Sequence, residues 1–264
     1  MNDNLVIGDT SQLSFYFPSD YIRTSSRNID FNFLRSKKWN KVFICIGESR
    51  KFISDINEFE KINYKLILEI VDVLKDYSNK VIVYSTCELW NKYNGPIDLN
   101  MLPDFYKTPY LESKYKLYKF IIDNEYSNVI IFFPFNFNSI FRSVDFLFGK
   151  VFDSIINRRK IIIGDTYFHR DLIHPKFVVS ESIIAETHKI VGSGRLVFVN
   201  DFIRDLYNHF NLRYEDYVTE EKGLYKEYGI TNEYYLRSDL SNYSYKILLE
   251  ETINDISDKI YTIN

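Results

Sequence analysis

Strand-length apolar runs alternating with helix-length amphipathic segments predict an α/β fold, a doubly wound parallel sheet. Two further observations support this class. The runs are apolar throughout, as in strands buried on both faces. Three of them end in Gly8, Gly47 and Thr86, which would then lie along one edge of the sheet. In order, the strands are residues 5–8 (LVIG), 21–25 (YIRTS), 41–47 (KVFICIG), 80–86 (KVIVYST) and 128–133 (NVIIFF). Between the last three lie INYKLILEIVDVLKDY and YLESKYKLYKFIIDNEY, whose apolar residues recur at helical spacing. Strand–helix–strand succession of this kind implies parallel neighbours joined by right-handed crossovers.

Beyond Phe133 the pattern loosens. Helices are expected at about residues 143–156 and 178–190, strands at KIIIG (160–164) and RLVFVND (195–201), and a last helix at YSYKILLEETINDI (243–256). No linker, repeat or low-complexity tract divides the chain. The expected organisation is one domain over residues 1–264. The sheet occupies about 1–135, and a smaller interleaved lobe with returning sheet elements occupies about 136–264.

Composition narrows the function classes. Of the 264 residues 45% are hydrophobic and 26% charged, ordinary values for a globular chain of a size that buries one large core. The net charge of −3 comes without a basic stripe, so nucleic acid is not an expected partner. Cys45 and Cys87 sit in or beside apolar runs, and no Cys/His spacing suggests zinc, so no metal is expected. The start, MNDNLVIGDTS, has neither a basic nor an apolar leader segment, and VIIFFPF is far too short to span a bilayer. A cytoplasmic protein without a membrane partner is expected.

The chemistry concentrates at Tyr110-Leu-Glu-Ser-Lys114, which follows Thr86 by about one loop. On a helix, residues four apart share a face, so the Tyr110 phenol and the Lys114 ammonium can serve one site. A nearby ammonium favours phenolate, which brings the phenol from about 10 toward the range useful for proton transfer at neutral pH. The Thr86 hydroxyl, at the end of a strand, can hydrogen-bond the same substrate oxygen. In an open parallel sheet ligands bind beyond the carboxyl ends of the strands, where Gly8, Gly47 and Thr86 are expected. With 22 tyrosines in the chain, the Tyr-x-x-x-Lys spacing gains its meaning from this company.

STCELW, YLESK, FPFNFNS and RDLIHP, in that order, resemble the motifs of extended short-chain dehydrogenases/reductases that act on nucleotide sugars. The resemblance covers roughly residues 5–190. It implies a Rossmann-like sheet, an NADP or NAD cofactor and a nucleotide-sugar substrate; a homodimer is compatible with it. STCELW is similar to the Ser-Thr-Asp-Glu-Val-Tyr stretch of sugar-nucleotide dehydratases, which makes Thr86 the active-site hydroxyl. Tyr110 would be the proton carrier, and Lys114 its electrostatic partner and a cofactor-ribose ligand. Glu88 stands where dehydratases have a general base, and equally where other members have a Glu that moves no proton. Cys87 replaces the dehydratase acid. Asn63 matches the family's helix Asn. Asn136 matches the Asn of an Arg-x-Phe-Asn motif whose Arg position here holds Phe133. Arg170 matches an Arg that contacts the substrate diphosphate in several members.

The cofactor loop departs most from the pattern. G-x-x-G-x-x-G appears as Gly8-Asp-Thr-Ser11-Gln-Leu-Ser14, although GDTSQLS still resembles the G-x-x-G-Q-L-G loop of dehydrorhamnose-type reductases. The cofactor contacts implied are Gly8, Ser11, Gln12, Leu13, Gly47, Asn63 and Lys114. With only 12 residues between Gly8 and Tyr21, the first helix must be very short. No carboxylate ends the second strand, where one would favour NAD; SSRN stands there, and its Arg27 suits a 2′-phosphate. The implied reaction is an exchange at C4 of the hexose. The loop favours 4-keto reduction, STCELW favours 4-epimerisation or 4,6-dehydration, and a non-catalytic sugar- or nucleotide-binding relative stays open on Ser11 and Ser14.

Overall fold

The computed structural model describes residues 3–50, 55–221 and 235–263. Along the chain, β1 (Leu5–Ile7) connects through a 3-10 turn (Ser14–Tyr16) to β2 (Ile22–Thr24), and α1 (Phe31–Arg35) leads to β3 (Trp39–Ile44). α2 (Asn57–Glu60), a π turn (Lys61–Leu66) and α3 (Ile67–Tyr77) run without a break into β4 (Ser78–Tyr84). A 3-10 turn (Cys87–Trp90), β5 (Gly95–Pro96), α4 (Pro109–Asp123), β6 (Val129–Pro134) and β7 (Asn136–Phe137) follow. Next come α5 (Leu147–Asn157), β8 (Ile161–Gly164), β9 (His169–Ile173), α6 (Pro175–Ile184) and β10 (Lys189–Val191). The remainder holds β11 (Leu196–Phe198), α7 (Val199–His209), α8 (Tyr214–Tyr217), β12 (Val218–Glu221), β13 (Leu236–Arg237) and α9 (Tyr245–Ile263).

The chain forms two compact units. The first comprises Met1–Lys92, Leu99–Pro134 and Val178–Val191. Its six-stranded sheet has the order β10-β6-β4-β3-β1-β2, with every neighbouring pair parallel. Strand order reverses between β1 and β3, the position at which an open α/β sheet leaves a crevice beyond its carboxyl edge. Val6, Ile7, Phe43, Ile44, Val83, Ile131 and Phe132 are all but inaccessible, each contributing about 1.5–3 kcal/mol of transfer free energy. α3 adds Ile67, Ile70, Val71 and Leu74, the spacing of a single helix face.

The second unit comprises Tyr93–Asp98, Phe135–Phe177 and Gly192–Asn264. It contains the three-stranded sheet β11-β9-β7 and the pairs β12-β8 and β13-β5. Its buried anchor is Asp171, fully inaccessible on β9. The Asp171 carboxylate accepts from the Ser193 amide and hydroxyl (both 2.7 Å), the Gly194 amide (2.9 Å), and the Ser238 amide (3.0 Å) and hydroxyl (3.1 Å).

Three expectations are corrected. The helix expected over 178–190 ends at Ile184, and Lys189–Val191 instead form a sixth strand paired with β6. His188 contributes to that junction by accepting the Ile131 amide on Nδ1 at 3.0 Å. RLVFVND is a strand only over Leu196–Phe198, because Val199, Phe202, Ile203, Leu206 and Tyr207 bury one helix face from Val199 onward. The helix expected from residue 143 begins at Leu147, since Ser143 closes a local turn through the Asp145 amide and carboxylate and the Phe146 amide.

Candidate active site

α4 starts where the sequence dictates a start: Pro109 occupies its first turn, and the Thr108 hydroxyl accepts the Leu111 amide at 3.2 Å. That places Tyr110 in the first turn and Lys114 one turn later on the same face. Tyr110 is half-buried, with its ring edge-on to Phe59 at 6.1 Å. Lys114 is buried, and its Nζ donates to the Tyr84 carbonyl at the end of β4, 3.1 Å away. Burial lowers the Lys114 ammonium from 10.5 to about 8, because removing a charge from water disfavours the charged form.

Lys114 belongs to a cluster that one asparagine ties together. Asn63 Oδ1 accepts the Glu48 amide at 2.7 Å, while Nδ2 donates to the Glu48 carbonyl (2.9 Å) and the Ser113 hydroxyl (3.2 Å). The Ser113 hydroxyl lies 2.6 Å from the Tyr110 carbonyl, to which it donates. Asn63 is fully buried inside the π turn, a wider helical turn that recurs at functional sites. Gly47 completes the cluster: a Cβ there would stand 3.4 Å from Lys114 Nζ and 3.5 Å from Asn63 Oδ1. A side chain at Gly47 would therefore fill the space in front of both polar groups.

Thr86 is buried just past β4, and its Oγ1 accepts the Glu88 amide at 3.2 Å, capping the Cys87–Trp90 turn against which α4 packs. Glu88 is half-buried in that turn. Glu48, next to Gly47, is buried and ion-paired with Arg50. Burial alone would raise its carboxyl, but the Arg50 hydrogen bonds and charge bring it below the usual carboxylate range.

After β1, Gly8 has φ +101°, and a Cβ on it would come within 2.7 Å of the Cys45 carbonyl, so only glycine fits. The expected first helix is reduced to the three residues Ser14–Tyr16, with Ser11 and Gln12 half-buried and Leu13 buried before it. Arg27 lies exposed three residues past β2, and its guanidinium has no partner among the described residues. The first unit thus carries Gly8, Ser11, Gln12, Leu13, Arg27, Gly47, Asn63, Thr86, Glu88, Tyr110 and Lys114, and it places Lys114 Nζ and Asn63 Oδ1 around the space that a side chain at Gly47 would fill.

Asn136 and Arg170 belong to the second unit. Asn136 pairs with Leu172 between β7 and β9. Arg170 donates to the His169 carbonyl at 2.7 Å and lies over the Phe168 ring at 4.5 Å.

Sequence reasoning missed Ser113, which orients Asn63, and Ser85, whose buried Oγ has no hydrogen-bond partner among the described residues. Adjacency to Lys114 and Thr86 was the available signal for both, and serine is too common a residue for that to suffice. Burial pushes the Cys45 thiol far above its ordinary range, which leaves it inert. Among the described residues no group of three or more His, Cys, Asp or Glu could hold a metal ion. No described helix is long and apolar enough to cross a membrane.

This geometry can move a proton at Tyr110 beside a buried cation, next to a glycine-lined space at the carboxyl edge of the sheet. The profile of the NAD dependent epimerase/dehydratase family matches residues 23–193. No curated protein sequence matches the chain. Among solved structures, UDP-N-acetylglucosamine 4-epimerase from Methanobrevibacter ruminantium M1, in complex with UDP-N-acetylmuramic acid, is similar with TM-score 0.78 and 15% identity over 98% of this chain and 100% of that one. UDP-glucuronic acid 4-epimerase from Bacillus cereus, in complex with UDP-glucuronic acid and NAD, is similar with TM-score 0.77 and 13% identity over 99% and 100%. RMD from Pseudomonas aeruginosa, complexed with NADPH, is similar with TM-score 0.74 and 14% identity over 97% and 100%.

Proposed function

Because the chain belongs to the NAD dependent epimerase/dehydratase family, we propose that it uses NADP or NAD to modify a nucleotide-activated sugar, by reducing a keto group at C4 of the hexose. The observation that carries this reading is Lys114. A fully buried ammonium at the carboxyl edge of a parallel sheet, one helical turn from a tyrosine, costs stability, and proton transfer gives it a purpose.

The residues fit a dinucleotide at the end that reacts. Gly47 leaves room beside Lys114 and Asn63, Lys114 would hold the nicotinamide ribose, and Arg27 would hold a 2′-phosphate. When bound, the dinucleotide supplies the hydride. Tyr110 delivers the proton to the sugar oxygen. Lys114 stabilises the phenolate left behind, and Thr86 hydrogen-bonds the same oxygen and polarises the C–O bond. Asn136 and Arg170 are proposed contacts to the substrate, Arg170 to its diphosphate.

Cys87, where a dehydratase has its acid, disfavours dehydration, because a thiol is a far weaker acid than a carboxylic acid and a poorer proton donor to a leaving hydroxyl. Epimerisation at C4 is the alternative that Thr86 and Tyr110 also permit. Tyr110→Phe is the test: it removes only the phenolic hydroxyl and should lower turnover about 10²–10⁴-fold while the circular-dichroism spectrum stays that of the parent. Turnover close to the parent's rules Tyr110 out as the proton carrier.

A further inference from the structure

We infer that the Ser85 hydroxyl is a further contact for the dinucleotide, hydrogen-bonding the ribose beside its nicotinamide together with Lys114. This rests on the function proposed above and names one more residue that the reacting end of the cofactor uses.

Ser85 directly follows β4, at the carboxyl edge of the six-stranded sheet. Only 7% of the residue is exposed, and its Oγ is buried without a hydrogen-bond partner among the described residues. A hydroxyl removed from water in this way gives up its hydrogen bonds to solvent and gains none in return. The fold does not account for it. The Ser85 amide continues the ladder by donating to the Phe132 carbonyl at 2.7 Å, so the backbone needs nothing from the side chain. An unsatisfied buried group at the edge where an open sheet binds its ligand is accounted for by that ligand.

Its neighbours indicate which part of the ligand it meets. The Tyr84 carbonyl, in the same peptide unit as the Ser85 amide, accepts from Lys114 Nζ at 3.1 Å. The hydroxyl thus stands one residue from the carbonyl that holds the ammonium assigned to the ribose. The two groups complement each other chemically. An ammonium only donates, whereas each hydroxyl of a ribose diol carries a hydrogen that needs an acceptor. Ser85 Oγ can accept that hydrogen and donate its own.

Thr86 does not compete for this place. Tyr84 directs its hydroxyl to Ser182 of α6 at 2.8 Å, and Thr86 keeps an extended backbone with φ −152° and ψ 142°. Successive residues of an extended chain project from opposite faces. Ser85 therefore points away from the Thr86 hydroxyl, which is assigned to the sugar oxygen. The free protein carries the unsatisfied hydroxyl, and the dinucleotide satisfies it.

The test compares the full-length protein, freed of any bound nucleotide, with Ser85→Ala and Ser85→Cys. Thermal melts are recorded without ligand, and calorimetry measures binding of NADPH, NADH, ADP and 2′,5′-ADP. The last two lack the nicotinamide ribose. Without ligand the variants should melt at or above the parent's temperature, since they lose a hydroxyl that has no partner. The dinucleotide that the parent binds more tightly should bind each variant about fivefold more weakly. ADP and 2′,5′-ADP should bind all three proteins alike. Unchanged dinucleotide affinity in the variants overturns the inference and leaves the proposed function standing. An equal loss for the dinucleotide and the two half-ligands does the same, because it puts the effect away from the ribose. So does a lower melting temperature of both unliganded variants, because the hydroxyl then has a partner in the free protein. No binding of either dinucleotide to the parent at millimolar concentration overturns both the inference and the proposed function. Ser85→Cys is close to serine in volume and decides where Ser85→Ala fails to fold.

Discussion

At the scale of single residues, Lys114 sets how the site depends on pH. Its ammonium is lowered to about 8 by burial, against 10.5 in the unfolded chain. Between those values the unfolded state holds more protons, so stability from this residue rises as pH climbs from about 8 toward 10.5. Thermal melts from pH 7 to 9.5 should show this rise in the parent and its loss in Lys114→Met. Catalysis runs the other way. Only the charged lysine favours phenolate at Tyr110, so kcat/KM should fall as pH passes about 8, and a flat profile to pH 9.5 counts against Lys114 as the electrostatic partner. Arg27 carries a separate expectation. Its guanidinium is exposed and has no partner among the described residues, so Arg27→Ala should leave the melting temperature unchanged. The same substitution should weaken NADPH binding by about 1.5–3 kcal/mol, the worth of a charge-assisted hydrogen bond, and barely alter NADH binding. Equal affinity of the parent for both dinucleotides argues against a 2′-phosphate contact.

At the scale of elements, the π turn and the edge strand β10 each have a side-chain hydrogen bond that ties them to a neighbouring element, β10 in addition to its pairing with β6. Asn63 fastens the end of β3 to α4 through Glu48 and Ser113. Asn63→Ala leaves a buried amide and carbonyl of Glu48 without their partner, at a cost of about 1–3 kcal/mol. Urea unfolding should register that loss, and turnover should fall with it because Gly47 and Lys114 are no longer held together. At the other side of the sheet, His188 accepts the Ile131 amide and must be neutral to do so. Burial depresses its ionisation below 6.5. The unfolded state then binds the extra proton first, so stability drops as pH falls through about 6.5. His188→Asn keeps a side-chain acceptor that does not titrate. The gap between parent and variant should narrow on acidification from pH 7 to 5, and parallel melting curves across that range would exclude His188 as the source.

At the scale of the whole molecule, each unit depends on a buried polar anchor as well as on its core. In the second unit the Asp171 carboxylate, with donors from Ser193, Gly194 and Ser238, joins β9 to segments far along the chain. Asp171→Ala strands those donors, and hydrogen exchange at the Ser193, Gly194 and Ser238 amides should accelerate by at least about tenfold, equivalent to 1.4 kcal/mol; unchanged protection there would show the anchor to be dispensable. The alternation that makes the first unit a parallel sheet was legible in the sequence, as were the shared helix face of Tyr110 and Lys114 and the shortness of the first connection. Each depends on residues close along the chain, where periodicity and spacing act directly. Tertiary structure decided the rest. The sixth strand exists because Lys189–Val191 meet β6 more than fifty residues away, overriding a local pattern that suits a helix equally well. Ser113, Asn63 and Gly47 become one cluster only when a π turn, a strand end and a helix converge. Ser14 closes the loop of Gly8 and Asp9 by hydrogen bonds that no spacing rule encodes. Local propensity fixes which elements form and in what order; which side chains meet follows from long-range pairing and burial, which depend on the whole chain at once.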